Sequence, residues 1–306
     1  MVSAARRLFV GILSAPQAGL GAQSRWPAPA KLNLFLHVLG RRADGRHNLQ
    51  TLFQILDYGD ELDFVLRDDD QIVLHDALDG VAAEDNLCVR AARLVQAHMT
   101  RPRGVDIHCI KRIPMGGGLG GGSSDAATCL VALNALWGVG LDEDSLARMG
   151  LGLGADVPVF VRGRSAFAQG VGEDLTALAL PEPWYCVVTP DCHVPTGEIF
   201  AAPELTRDTP PLTISDLLAH TVPVGNDCWP VVASRYPAVR RAHDSLSRFG
   251  AARMSGTGAS VFLPCESRDQ ALHIASQMPR DWHVFVAQGL NQSPLQAMAY
   301  GLRTGV

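Results

Sequence analysis

Six of the seven residues from 116 to 122 are glycine, and Ser123, Ser124 and Asp125 follow them. A residue without a β-carbon lets the backbone come close to a ligand. Gly116, Gly117 and Gly118, the single bulky Leu119, then Gly120, Gly121 and Gly122 therefore form a run whose successive N–H groups can converge on one anion. A helix capped by Ser123 or Ser124 would add its own unpaired N–H groups and the positive end of its dipole. The chemistry that suits these residues is the holding of phosphate. A P-loop is excluded, because no lysine follows the glycines. Residues 116–121 do match G-x-G-x-x-G, with Asp142 about 20 residues further on, so a nicotinamide-dependent oxidoreductase stays open. Against it, a second polar helical start, LDEDSLARM, stands where a parallel strand should return.

The elements around this run are legible from their periods. Leu32, Leu34, Leu36 and Val38 alternate with Lys31, Asn33, Phe35 and His37, which predicts a strand over 30–39 with Lys31 and Asn33 together on its other face. A turn is expected at 43–48, where Asp44-Gly45 is a strong turn signal. Strands at 49–56, 61–67 and 71–75 would complete an antiparallel meander. Asp85 or Asn86 is placed to cap a helix over 86–98, VDIHCI (105–110) alternates as a strand into the glycines, and a helix should end at Gly138. A short helix is expected over 142–149, stopping at Gly150, and then a loop over 152–160 around Pro158. Beyond Pro181 and Pro183, which suggest a connector, the pattern predicts a strand at 185–189 and helices at 213–220 and 226–248. Strand-like runs follow at 252–263 and 283–290. The expected division is an extension over 1–25, one domain over 26–180 and a mixed α+β domain over 181–306.

Composition narrows the function. With 306 residues the chain has length for two domains, and its formal net charge of −5 offers no global field to draw it to nucleic acid or an anionic membrane. The seven cysteines never form C-x-x-C, and the ten histidines show no ligand spacing, so reduced cytosolic thiols and no structural metal are expected. Of the 26 basic residues only Lys31 and Lys111 are lysine. Arg6 and Arg7 precede LFVGIL, which looks weakly like a signal peptide but is far short of the about 20 apolar residues that span a bilayer. A disordered extension is the expectation.

The segment PMGGGLGGGSSDAA (114–127) resembles the second motif of the GHMP kinases, small-molecule kinases that hold ATP without a P-loop lysine. Residues 27–60, GLGADVPVF (152–160) and MSGTGASVF (254–262) extend the likeness, in family order, toward members acting on a sugar alcohol linked to cytidine diphosphate. The resemblance implies a two-domain α+β GHMP kinase fold. Its N-terminal domain would carry a left-handed βαβ unit, like domain 2 of ribosomal protein S5, and its C-terminal domain would be ferredoxin-like. It implies a cytoplasmic enzyme using ATP and Mg2+ in non-mevalonate isoprenoid synthesis, with another GHMP kinase acting on a different alcohol as the alternative.

By the same resemblance Lys31 and Asp156 match the catalytic lysine and aspartate. A carboxylate can accept the proton of a sugar hydroxyl while an ammonium nearby keeps it ionised. Pro114, Met115 and the run from Gly116 to Ser124 match the phosphate segment, with Asn86 and Lys111 near the adenine. Asn33, Thr196, Gly256, Thr257 and Gly258 fall on the substrate side. In these kinases the turn reads D-G-Y-H, and its tyrosine and a later phenylalanine sandwich cytosine while the histidine reads the base edge. Here His47 and Phe200 match, but Arg46 replaces the aromatic; a guanidinium plane can also stack on a base.

Overall fold

The computed structural model describes residues 9–10, 25–75, 82–219 and 222–304. Within the expected disordered extension, Phe9–Val10 form a two-residue strand, β1; the rest of that segment lies outside the described residues. Strands β2 (Trp26–Arg41) and β3 (His47–Arg67) form a long antiparallel pair closed by the expected turn, in register from Trp26 opposite Leu62 to Arg41 opposite His47. β3 joins the runs expected as separate strands at 49–56 and 61–67. The continuity depends on Gly59: a β-carbon there would overlap the Ala28 carbonyl oxygen, and the register shifts at Pro29/Lys31 beside it. The meander also fails at the next element. β4 (Ile72–Leu74) pairs parallel with β5 (Gly104–Ile110), because the chain first crosses over through α1 (Leu87–Gln96), whose first turn Asn86 caps.

Helix α2 (Gly121–Leu136) follows the glycine run, then α3 (Glu143–Leu153) and α4 (Val157–Arg162). α3 runs past Gly150, since one glycine costs a helix interior only about 1 kcal/mol. α4 occupies part of the expected loop; Pro158 lies in its first turn, where no N–H is needed, and so starts a helix instead of preventing one. The hairpin β6 (Ala166–Gln169) and β7 (Asp174–Ala177) extends the sheet from Thr51–Phe53 of β3.

The second half begins with β8 (Trp184–Thr189), α5 (Thr196–Ala201) and α6 (Ile214–Leu218). The single helix expected over 226–248 is two, α7 (Trp229–Arg235) and α8 (Pro237–Ser247), because a proline ring cannot continue a helix. Then come β9 (Arg253–Met254), β10 (Val261–Cys265), α9 (Arg268–Ser276), β11 (His283–Leu290) and α10 (Pro294–Thr304). The order β11-β8-β10-β9, antiparallel throughout, with helices after β8 and β10, is the ferredoxin-like arrangement.

One sheet runs through both halves because β11 pairs with β8 over 283–288 and with β3 at Gly289 and Leu290. β3 thus leaves the start of β11 with an open edge, which β1 fills at Phe285 and Val286. A buried cluster seals the junction: Leu32 and Leu56, Tyr58 stacked 3.8 Å from Phe285, Phe262, and Leu119 from the glycine run. α10 returns to the first half, where Leu295, Met298 and Ala299 join the core around α2.

Gly59→Ala should force β2 and β3 apart at their closest approach. Overpacking of this kind costs about 1–3 kcal/mol, so the melting temperature should fall by several degrees; an unchanged midpoint would mean the strands separate there without strain.

Candidate active site

The glycine run is held from behind. Gly116 O accepts from Ala259 N at 3.2 Å, Gly117 O from Ser260 N at 3.1 Å and Leu119 O from Lys31 N at 3.0 Å. Gly118 O accepts from Ser255 Oγ at 2.9 Å and from Lys31 Nζ at 3.0 Å. With its carbonyls turned into the protein and Leu119 buried, the run leaves its amides as the groups free for an anion: among the described residues no N–H from Gly116 to Ser123 donates a hydrogen bond. Gly118, at φ +70°, could carry no side chain, since a β-carbon would overlap the Ser255 carbonyl oxygen. The expected serine cap is corrected. The N-cap of α2 is Gly120, and the first backbone bond is Ser124 N to Gly120 O at 2.8 Å. Ser124 instead donates its hydroxyl to Pro29 O at 2.7 Å and so fastens the helix to β2. Three amides of the first turn remain open, as at any helix start without a side-chain cap. Pro114 and Met115 lead in, Met115 being 64% exposed.

Lys31 and Asn33 share a face of β2, as expected, but that face is buried: each residue is 3% exposed. Lys31 Nζ donates to Asn33 Oδ1 at 2.5 Å and lies 3.3 Å from Asp156 Oδ2. Asn33 is oriented in turn, its Nδ2 donating to Thr51 Oγ1 at 2.8 Å and its backbone N to Ser255 Oγ at 3.1 Å. Asp156 stands at the start of α4 yet makes no capping hydrogen bond with its side chain, which is 35% exposed. Its carboxylate is therefore free for chemistry beside a buried ammonium.

Asn86 and Lys111 are occupied. Asn86 Oδ1 accepts from Cys88 N at 2.9 Å, capping α1. Lys111 is clamped between Asp60 and Asp125, the latter at 2.5 Å. Burial works against the Lys111 charge, but the two carboxylates outweigh it and raise its pKa. Burial, opposed by Lys111 and reinforced by Asp60, holds the Asp125 carboxyl well above its usual range. Asp60 was missed by sequence reasoning. It is fully buried in mid-strand and also accepts from Arg112 N at 2.5 Å and Ile113 N at 2.8 Å, thereby pinning the segment that enters the glycine run. Its only signal was an acidic residue inside an apolar strand.

Beside these residues lies a cavity of about 550 Å³, lined by Arg46 and His47 from the turn, by Gly154 and Ala155 just before Asp156, and by Gly197 and Phe200 of α5. His47 and Phe200 stack, with centroids 5.2 Å apart and planes at 25°. Arg46 is exposed on the turn, its backbone N donating to Asp44 Oδ1 at 3.0 Å. Thr196 and Thr257 share a hydrogen bond at 2.9 Å, and Asn226 Nδ2 donates to Gly256 O at 2.8 Å, so Gly256–Gly258 are held against both Asn33 and α5. The dinucleotide alternative fails, because α2 leads into α3 and α4 and then into β6, which pairs with β3 and β7 and not with β5, whose parallel partner is β4 from before the glycine run. Among the described residues no three His, Cys, Asp or Glu side chains gather to hold a metal, and no helix is long and apolar enough to cross a membrane.

Known proteins resemble this chain over most of its length. The GHMP kinases N terminal domain matches residues 86–164 and the GHMP kinases C terminal domain residues 219–284. A 4-diphosphocytidyl-2-C-methyl-D-erythritol kinase of Halorhodospira halophila is 56% identical over 286 residues, covering 92% of this chain and 99% of its own. One from Ectopseudomonas mendocina is 58% identical, covering 88% and 92%. A crystal structure of a 4-(cytidine 5'-diphospho)-2C-methyl-D-erythritol kinase superposes with a TM-score of 0.75 at 34% identity, over 87% of this chain and 98% of that one.

Asp60→Asn should lower the unfolding free energy by about 3 kcal/mol, the lower end for removing one partner of a buried charge, because Asp125 still faces Lys111. Urea denaturation measures it; a loss of only about 0.5 kcal/mol would mean that the cluster behaves like an exposed ion pair.

Proposed function

The chain belongs to the GHMP kinases, and from that premise we propose that it transfers the γ-phosphoryl group of ATP to a hydroxyl of 4-diphosphocytidyl-2-C-methyl-D-erythritol. The products are the 2-phosphate and ADP, in the non-mevalonate route to isoprenoid precursors. The observation that carries this reading is the Lys31–Asp156 pair, 3.3 Å apart, with Lys31 bonded to Gly118 in the middle of the carbonyl-anchored glycine run.

The amides of Gly116–Ser123 hold the phosphate oxygens. Asp156 accepts the proton of the attacking hydroxyl, and Lys31, paired with it, holds it in place and offsets charge on the reacting oxygens. Asn33 and the Gly118 carbonyl aim the ammonium at this point. The donor set fits magnesium carried in on the nucleotide, with Asp156 as the available carboxylate: the ion needs few protein ligands when phosphates supply the rest. When bound, it neutralises charge on the β- and γ-phosphates. His47, Phe200 and Arg46 take the cytosine end in the cavity, while Thr196 and Gly256–Gly258 close over the alcohol from the second half. Seven cysteines without a disulfide, and ATP as donor, support a cytoplasmic site of action.

Asp156→Asn should retain Mg-ATP binding, read as the shift of a thermal melt, while kcat for ADP release falls about 10²- to 10⁴-fold. Lys31→Ala should lower kcat as well, and the double variant should lose far less than the product of the two losses, because both act on one oxygen. An Asp156→Asn enzyme within about threefold of wild type, with chemistry rate-limiting, would remove the carboxylate from the mechanism.

On the base side, Phe200→Ala and Arg46→Ala should raise KM for the cytidylyl substrate and leave kcat nearly unchanged, as expected for binding shared by ground and transition states. Should Arg46→Ala be silent while Phe200→Ala is not, the turn arginine is only solvated and Phe200 stacks alone.

A further inference from the structure

A hydrogen bond at the wall of the base cavity has its direction dictated by chemistry. Arg207 Nε lies 3.1 Å from His47 Nε2. A guanidinium carries no acceptor and is not deprotonated in proteins, so the arginine donates and Nε2 is the nitrogen with the lone pair. A neutral imidazole whose lone pair sits on Nε2 carries its proton on Nδ1. The guanidinium is not free to turn away. Its Nη1 donates to Leu205 O at 3.1 Å, and its Nη2 donates to Phe200 O at 2.9 Å and to Ala202 O at 2.7 Å. Those carbonyls belong to α5 and the turn after it, so one side chain holds both His47 and the helix that carries its stacking partner Phe200.

His47 is only 7% exposed. Burial first, then the charges of Arg207 and Arg41, lower its pKa and keep the ring neutral. Among the described residues no group pairs with its Nδ1, while the ring itself lines the cavity.

We propose that Arg207 is a positioning residue that fixes His47 as the Nδ1–H tautomer, so that the cavity presents a hydrogen-bond donor and prefers cytosine, with its lone pair at N3, to uracil, which carries N–H there. The inference rests on the cytidylyl reading of the cavity and adds the residue that sets its selectivity. A histidine in the other tautomer would offer an acceptor and reverse the preference.

The test reads the ring before it reads any reaction. Nitrogen-15 NMR of the ligand-free protein, with His47 assigned by its disappearance in His47→Gln, should show the proton on Nδ1 at neutral pH. CMP and UMP then serve as probes: wild type should bind CMP more tightly, and Arg207→Ala should shrink the ratio of the two Kd values by about 10- to 100-fold, the usual cost of an unmade buried hydrogen bond. Arg207→Lys keeps the charge without the planar fork, and should show mixed tautomers and a ratio close to that of the alanine variant. Should Arg207→Ala fail to fold, the wild-type spectrum, the wild-type Kd ratio and Arg207→Lys still decide the matter. A wild-type ring protonated on Nε2, equal affinity for CMP and UMP, or an unchanged ratio in both variants would overturn the proposal. Preference for CMP with the expected tautomer, but no phosphorylation of a cytidylyl alcohol, would instead sustain it and count against the reaction.

Discussion

The site is organised by a charge that water does not reach. Lys31 is 3% exposed, and a buried ammonium must be paired and hydrogen-bonded or it costs several kcal/mol. Its partners come from three places: Asn33 on its own strand, the Gly118 carbonyl in the glycine run, and Asp156 before α4. Satisfying that one charge fixes the position of the phosphate-binding run relative to the only one of these partners that can take a proton. Ser255 completes the arrangement. Its hydroxyl accepts from Asn33 N and donates to Gly118 O, so the loop of the second half is tied to the same point.

The second lysine follows the same logic with a different result. Lys111 is clamped by Asp60 and Asp125 and gathers the end of β5, the middle of β3 and the second turn of α2. A compact ammonium can sit between two carboxylates in a narrow space, where a planar guanidinium would need room for its fork. A chain with 24 arginines uses lysine at two positions, and both are where charge enters the interior. Lys31 ends beside an accessible carboxylate and is available to chemistry. Lys111 is enclosed by acids and stiffens the approach to the glycines.

Much of this was legible in the chain. The alternation from Leu32 to Val38 announced β2 and the pairing of Lys31 with Asn33, and Asp85-Asn86 announced the start of α1, with Asn86 the one that caps it. Local rules failed where a residue has two uses. Pro158, a barrier inside a helix, is here a helix start, Pro237 divides a helix, and Gly150, a common stop, lies within one. The serine cap failed for a similar reason, since Ser124 is drawn into a long-range bond to Pro29 and leaves Gly120 to begin the helix. Asp60 offered only an acid in an apolar strand and Arg207 no pattern, because their partners lie 51 and 160 residues away.

The sequence by itself determined the chemistry on offer: a run of amides stripped of side chains, an ammonium and an asparagine two residues apart on one strand, and a carboxylate two residues before a proline. These follow from residue type and short spacing, which set backbone freedom and the direction of neighbouring side chains. Tertiary structure alone decided that the carbonyls of the run face inward, that Lys31 meets Asp156 across 125 residues of chain, and that His47 is held by Arg207. Those outcomes depend on which groups must be satisfied once water is excluded, and exclusion of water is a property of the packed sheet and helices rather than of any segment.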